Sequence, residues 1–118
     1  MGGPRLNAQR ATGTTTDAFV VALSVKSIRN LAYVLKNTHG SNSLDFKIDG
    51  YLQDSGFSVA LKASAALAAT AQTDDSIPNL LAKYRDVAFS KIDISVKATS
   101  AGNQATYDLS ANGLSAEP

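Results

Sequence analysis

Hydrophobic and polar residues alternate without a break through Ser43-Leu44-Asp45-Phe46-Lys47-Ile48-Asp49-Gly50-Tyr51-Leu52. Leu44, Phe46, Ile48 and Leu52 fall on one side of an extended chain, and Asp45, Lys47, Asp49 and Tyr51 on the other. A period of two marks a strand with one buried and one solvated face. The same period returns at Ile92–Lys97 and Ala105–Ser110. It also runs through Asp17–Val25 (Phe19, Val21, Leu23, Val25), Leu31–Lys36 (Leu31, Tyr33, Leu35) and Phe57–Lys62 (Phe57, Val59, Leu61). Turn-forming residues separate these runs: Lys26–Asn30 as a corner, Asn37–Asn42 as a hairpin loop, and Asp54–Gly56 and Ser100–Asn103 as turns.

Two positions predict irregular strands. Gly50 inside the third run marks a bulge or a close neighbour. In Arg85–Thr99 the apolar parity changes between Phe89 and Ile92, which predicts a bulge or a strand passing between two sheets. A last strand is expected over Gln104–Ala111.

Three segments are less regular. Ala63–Ala71 has the composition of a helix, yet Leu67 is its one large apolar anchor, and the surrounding strands favour a short strand or extended edge. Being uncharged, such an edge is a candidate subunit contact. Gln72–Ser76 reads as polar loop. Ser76 can cap a short helix over 77–84 with Pro78 in its first turn and Leu80, Leu81 and Tyr84 toward the sheets; the alternative is an irregular connection. Many short strands at this spacing define an all-β chain, an antiparallel β-sandwich of jelly-roll-like or immunoglobulin-like character. The expected division is an extended N-terminal arm over 1–16, a sandwich over 17–111 and a C-terminal tail over 112–118.

A chain of 118 residues is one domain able to bury about two-thirds of its unfolded surface without staples. It has no cysteine, so disulfides and thiolate metal sites are excluded. Eleven basic residues balance ten acidic ones, and no basic stripe marks a nucleic-acid binder. The longest apolar run, Ala18–Leu23, is too short to span a membrane, and no apolar stretch after Arg5 makes a signal peptide. The expectation is a soluble protein made in the cytoplasm without a signal of its own.

No catalytic constellation is legible. His39 is the one histidine and sits in a turn, where a surface role is the expectation. Asp45 and Asp49, four apart on one strand, stand about 13 Å apart, too far to share a proton. Asp74-Asp75 match no calcium loop. No glycine-rich phosphate cradle occurs. The aromatics are spread about one per strand, as core residues are, and tryptophan is absent. Tyr51 alone among them is placed on a wet face. No enzyme, cofactor or metal is expected.

Ile28–Thr38, Ser43–Gly50, and Tyr84–Phe89 through Val96–Thr99, followed by Gly102 and Tyr107, form a strand-and-turn pattern covering most of 18–111. In this it resembles small β-sandwich virion accessory proteins of bacteriophages, those that decorate or cement a capsid. The resemblance implies a virion location and a role through contacts: with copies of itself and with a major capsid or other virion protein, not with nucleic acid or membrane. Under it, Leu6 of the arm would fill a neighbour's pocket and Arg5 and Arg10 would pair with carboxylates, with Leu67 and Tyr51 as further interface residues. Two alternatives stay open: another self-assembling protein, such as a tail component or surface filament subunit, and a carbohydrate- or ligand-binding module.

Overall fold

The computed structural model describes residues 6–52, 57–77 and 89–115. These form β1 (Leu6–Thr14), β2 (Val20–Asn37), β3 (Leu44–Tyr51), β4 (Ser58–Leu67), β5 (Gln72–Ser76), β6 (Phe89–Ala98) and β7 (Thr106–Ser115). All pairings are antiparallel. β2 belongs to two sheets. Its first half, Val20–Ile28, pairs with β6, and the order continues through β3 to β4. Its second half lies between β5 and β7, with β1 beyond β7. The chain is thus a β-sandwich of two four-stranded sheets that share one bent strand.

The bend is local. Ile28 pairs with Phe89 in one sheet and with Ser115 in the other, and the ladder to β7 shifts register between Arg29 and Ala32. Asn30 has φ 54°, a left-handed conformation that Asn tolerates better than other non-glycine residues. The corner expected at Lys26–Asn30 is therefore present, as a turn within one strand. β2 passes between sheets, whereas the described part of the Arg85–Thr99 segment, β6, stays in one. β6 does bury both Phe89 and Ile92, so its inward parity changes where expected; residues 85–88 lie outside the described residues.

The core lies between the sheets. β2 contributes Leu23, Val25, Ile28, Leu31, Tyr33 and Leu35; β3 contributes Leu44, Phe46 and Ile48; β6 contributes Phe89, Ile92, Ile94 and Val96; β7 contributes Tyr107, Leu109 and Ala111. Gly50 continues the inward row of β3. A Cβ there would stand 2.7 Å from a ring carbon of Phe89, so the glycine is a close-approach site.

Several expectations are corrected. The arm is not free of the fold: residues 6–14 are β1, an edge strand paired with β7 from Leu6↔Leu114 to Thr14↔Thr106. β1 turns Gln9, Ala11 and Gly13 inward, residues too small or polar to announce a buried face. Residues 112–115 likewise continue β7 instead of starting a tail. Gln72–Ser76 is a strand, because pairing with Ala32–Lys36 overrides its poor β propensity. A register shift between Val21 and Leu23 turns Val21 outward, and Phe19 lies half-buried beneath Lys47 and Lys97. Leu52 and Phe57, beyond the ends of β3 and β4, are 48% and 78% exposed. Ala63–Leu67 completes β4, a sheet edge, as the extended reading expected. The helix expected over 77–84 lies, apart from the buried Ile77, outside the described residues.

The bend generates a prediction. The Oδ1 of Asn30 is buried and finds no hydrogen-bond partner among the described residues, so its side chain adds little. Asn30→Gly should leave stability within about 0.5 kcal/mol or raise it, whereas Asn30→Val should lose about 1–2 kcal/mol or more through left-handed strain. Urea unfolding of the two variants checks this, and equal midpoints would contradict it.

Candidate functional site

The turn holding the single histidine is built for structure. Asn37, at the end of β2, is fully buried. Its Nδ2 donates to the carbonyls of Asn42 (2.9 Å) and Leu67 (3.1 Å), and its Oδ1 accepts from the backbone N–H of His39 (2.9 Å). The His39 Nδ1 in turn accepts from the backbone N–H groups of Asn42 (2.9 Å) and Ser41 (3.1 Å). The imidazole closes its own loop, and its neighbours supply no nucleophile–base–carboxylate chain. Among the described residues, no three His, Asp or Glu side chains converge to hold a metal ion.

The outer face of the β2–β6–β3–β4 sheet is a lattice of alternating charges. Lys97 pairs with Asp45 (3.6 Å), Lys47 with Asp49 (3.8 Å) and Lys91 with Asp93 (3.5 Å). Thr99 donates to Asp45 (2.8 Å) and Ser24 to Asp93 (2.5 Å). Asp45 and Asp49 thus each serve a different lysine. Tyr51 is half-buried here, with the Lys91 Nζ 4.5 Å from its ring centroid.

The other outer face, on β1–β7–β2–β5, carries a shallow open groove of about 950 Å³. Three cross-strand rows traverse it or border it: Ala8–Asn112–Ala32–Ser76, Arg10–Ser110–Val34–Asp74 and Thr12–Asp108–Lys36–Gln72. The floor is made of small side chains, and charge is confined to the rim. Arg10 makes a two-pronged contact with Asp108, one diagonal step away: Nε to Oδ1 at 2.9 Å and Nη2 to Oδ2 at 2.7 Å. This hydrogen-bonded pairing raises the already high pKa of Arg10 and holds the Asp108 carboxyl below its ordinary value. Burial, helped by the charges of Asp75 and Asp74, pushes the Tyr33 phenol up to about 12. Tyr107 lies across Gly13, its directly opposed partner, where an added Cβ would meet the Tyr107 Oη at 2.8 Å. Backbone, ring and ion pair together seat β1 on β7.

The five residues expected at an interface are dispersed. Arg5 lies outside the described residues. Leu6 begins β1 opposite Leu114. Arg10 projects from the outer face with a side chain 68% exposed. Leu67 belongs to the core and has no surface to offer a partner. Tyr51 sits on the opposite sheet from Arg10. Two further residues of this face are not legible as such in the sequence: Asp108 stands in an alternating run, but nothing there couples it to Arg10, and Asp74, weighed there only against a calcium loop, lies in a segment without apolar periodicity.

No family model matches the chain, and no curated protein matches it in sequence. Solved structures do resemble it. A protein of Bacillus endospore appendages, which form disulfide-linked pili, is 10% identical at a TM-score of 0.53, over 95% of this chain and 90% of that one. A chain of the T13 infectious bursal disease virus particle is 12% identical at a TM-score of 0.53, over 92% of this chain and 31% of that one. VP2 of the same virus's subviral particle is 14% identical at a TM-score of 0.51, over 92% and 32%. This chain thus spans about a third of the viral chains and most of the appendage protein. At these identities the likeness is one of fold. The structural neighbours are virus capsid and pilus proteins.

Two predictions follow from the geometry. Asn37→Ala should destabilise the fold by about 1–3 kcal/mol, because it strands the Leu67 carbonyl and frees the 38–42 loop; chemical denaturation measures this, and a smaller loss would show that the loop re-pairs without it. The Asp108 carboxyl should titrate below the ordinary carboxylate range by NMR and return toward it in Arg10→Gln. Because the folded value is the lowered one, the pair contributes fully at neutral pH and loses its contribution as pH falls through that value. The difference in Tm between the native chain and Arg10→Gln should therefore vanish in acid.

Proposed function

We propose that this chain is a non-enzymatic structural subunit that acts by assembling in many copies, as an accessory protein of a virion shell that decorates or cements a capsid. The observation that carries this reading is a sandwich whose two sheets both end in strands with no further strand paired to them among the described residues: β1 and β5 on one sheet, β4 and the first half of β2 on the other. Unpaired edges are templates for another chain. Near-balanced charge and the absence of a converging catalytic set among the described residues suit a role through contacts. The likeness in fold to capsid and pilus proteins supports the same class. The partners under this reading are further copies of the chain and a major capsid or other virion protein.

A second reading, a filament or appendage subunit, is favoured by one observation: the appendage protein is matched over nearly its whole length, the viral chains over about a third. This chain has no cysteine, so any such filament would be held without disulfides.

Light scattering across a concentration series tests the assembly common to both readings. Mass should rise above that of a 12.3 kDa monomer as concentration increases. Electron microscopy of the associated material then separates finite closed particles, expected of a shell component, from filaments. A monomer at every concentration, alone and with virion shells, would overturn the proposal.

A further inference from the structure

The four edges with no further strand among the described residues are not equivalent. In the sheet that ends in β4 and the first half of β2, the terminal ladders are irregular. β2 shifts register against β6 between Val21 and Leu23, and β4 shifts twice against β3, between Phe46 and Ile48 and between Ile48 and Asp49. Bulges re-aim backbone donors and acceptors and blunt an edge. The other sheet ends in ladders with no shift: β1 pairs with β7 over nine consecutive positions and β5 with β2 over five.

Those two regular edges are matched in direction, row and charge. β1 runs antiparallel to β7, β7 antiparallel to β2, and β5 antiparallel to β2. Hence β1 and β5 run in opposite directions, and a second copy set beside the first would extend the sheet in the antiparallel sense. The rows line up as well. Arg10 and Asp74 end one row, Thr12 and Gln72 the next, and Ala8 and Ser76 the one on the other side. A copy displaced by four strands, about 19 Å, therefore brings Arg10 against the neighbour's Asp74 in register.

We propose that this chain associates head to tail by β1–β5 strand addition, with Ala8–Thr12 of one copy pairing with Gln72–Ser76 of the next and Arg10 facing Asp74 across the junction. The inference rests on the assembly reading and assigns its contact. Arg10 keeps donors for this: a guanidinium has five N–H groups, and Asp108 takes two of them. The same charges oppose the symmetric alternatives. β1 against β1 about its centre would set Arg10 against Arg10, and β5 against β5 about its centre would set Asp74 against Asp74. A β1–β5 contact uses different patches on the two partners. It is heterologous, and closes into rings or continues as filaments according to the rotation between copies.

Cysteine cross-linking tests the contact, since the chain has no thiol of its own. Thr12 and Gln72 end one row three strand spacings apart, about 14 Å, so a disulfide between them within one chain is excluded. The full chain carrying Thr12→Cys and Gln72→Cys should give a ladder of linked multimers on oxidation. The two single variants, mixed, should give mainly the mixed dimer. The equivalent pair on the other sheet, Lys26→Cys with Ser58→Cys, should not link. Adding Asp74→Lys should slow the ladder about tenfold by turning an attraction into a repulsion. If the native chain gains mass with concentration but the cysteine variants link only position 12 to position 12, or link equally with Asp74→Lys, the assembly stands and this contact is wrong. If the native chain stays monomeric and no ladder forms, both fall.

Discussion

The turn of β2 between Ile28 and Ala32 is the constraint on which the rest of the structure depends. A single strand cannot lie in both layers of a sandwich unless its backbone breaks the extended conformation once. Asn30 makes that break at positive φ, and both halves then keep their apolar residues toward the same interior. Leu23 and Val25 face in before the turn, Leu31, Tyr33 and Leu35 after it, and Ile28 at the pivot touches both layers through its partners. The edge-on packing of Tyr33 against Phe46 ties the two sheets together across the core, with ring centroids 6.3 Å apart.

Sharing a strand also sets where the sheets end. β2 lies inside one sheet, where β5 covers it, but forms the border of the other, where its first half has no further strand among the described residues. The border strands are therefore short, polar or bulged. β5 is five residues with two aspartates, and β4 is kinked twice so that Leu61 reaches the core while the Lys62 Nζ stands 5.5 Å from the Phe46 ring centroid. Soluble sandwiches restrain their edges with such devices. Here the restraint is uneven between the sheets, and the uneven part carries opposite charges at opposite ends of one row.

Central strands were legible in the sequence because burial there demands large apolar side chains at every second position. Leu44, Phe46 and Ile48, or Ile92, Ile94 and Val96, fix both the strand and its inner face. Edge strands were not legible, for the converse reason. β1 turns Gln9, Ala11 and Gly13 inward and β5 has no apolar residue at all, so neither differs by composition from a loop. Their strand character comes from partners distant in sequence, as the pairing of Arg10 with Asp108 shows. Bulges hid other details: a residue's parity predicts its face only while the ladder keeps register, which is why Val21 faces out. The loop around His39 was recognisable as a turn, but its closure by Asn37 depends on the Leu67 carbonyl of another strand.

The surface legible as chemistry and the surface proposed to bear the assembly contact are different ones. Asp45, Lys47, Asp49, Lys91, Asp93 and Lys97 hold most of the conspicuous charge, yet they satisfy one another within the chain and leave little for a partner. On the opposite face Arg10 and Asp74 stand on the border strands and Asp108 and Lys36 lie side by side in the row beyond the groove, while the groove floor is alanine, serine, asparagine and valine. Backbone at an edge needs no side chain to be recognised; it needs direction, register and the absence of a clash. Direction and register are met together at β1 and β5.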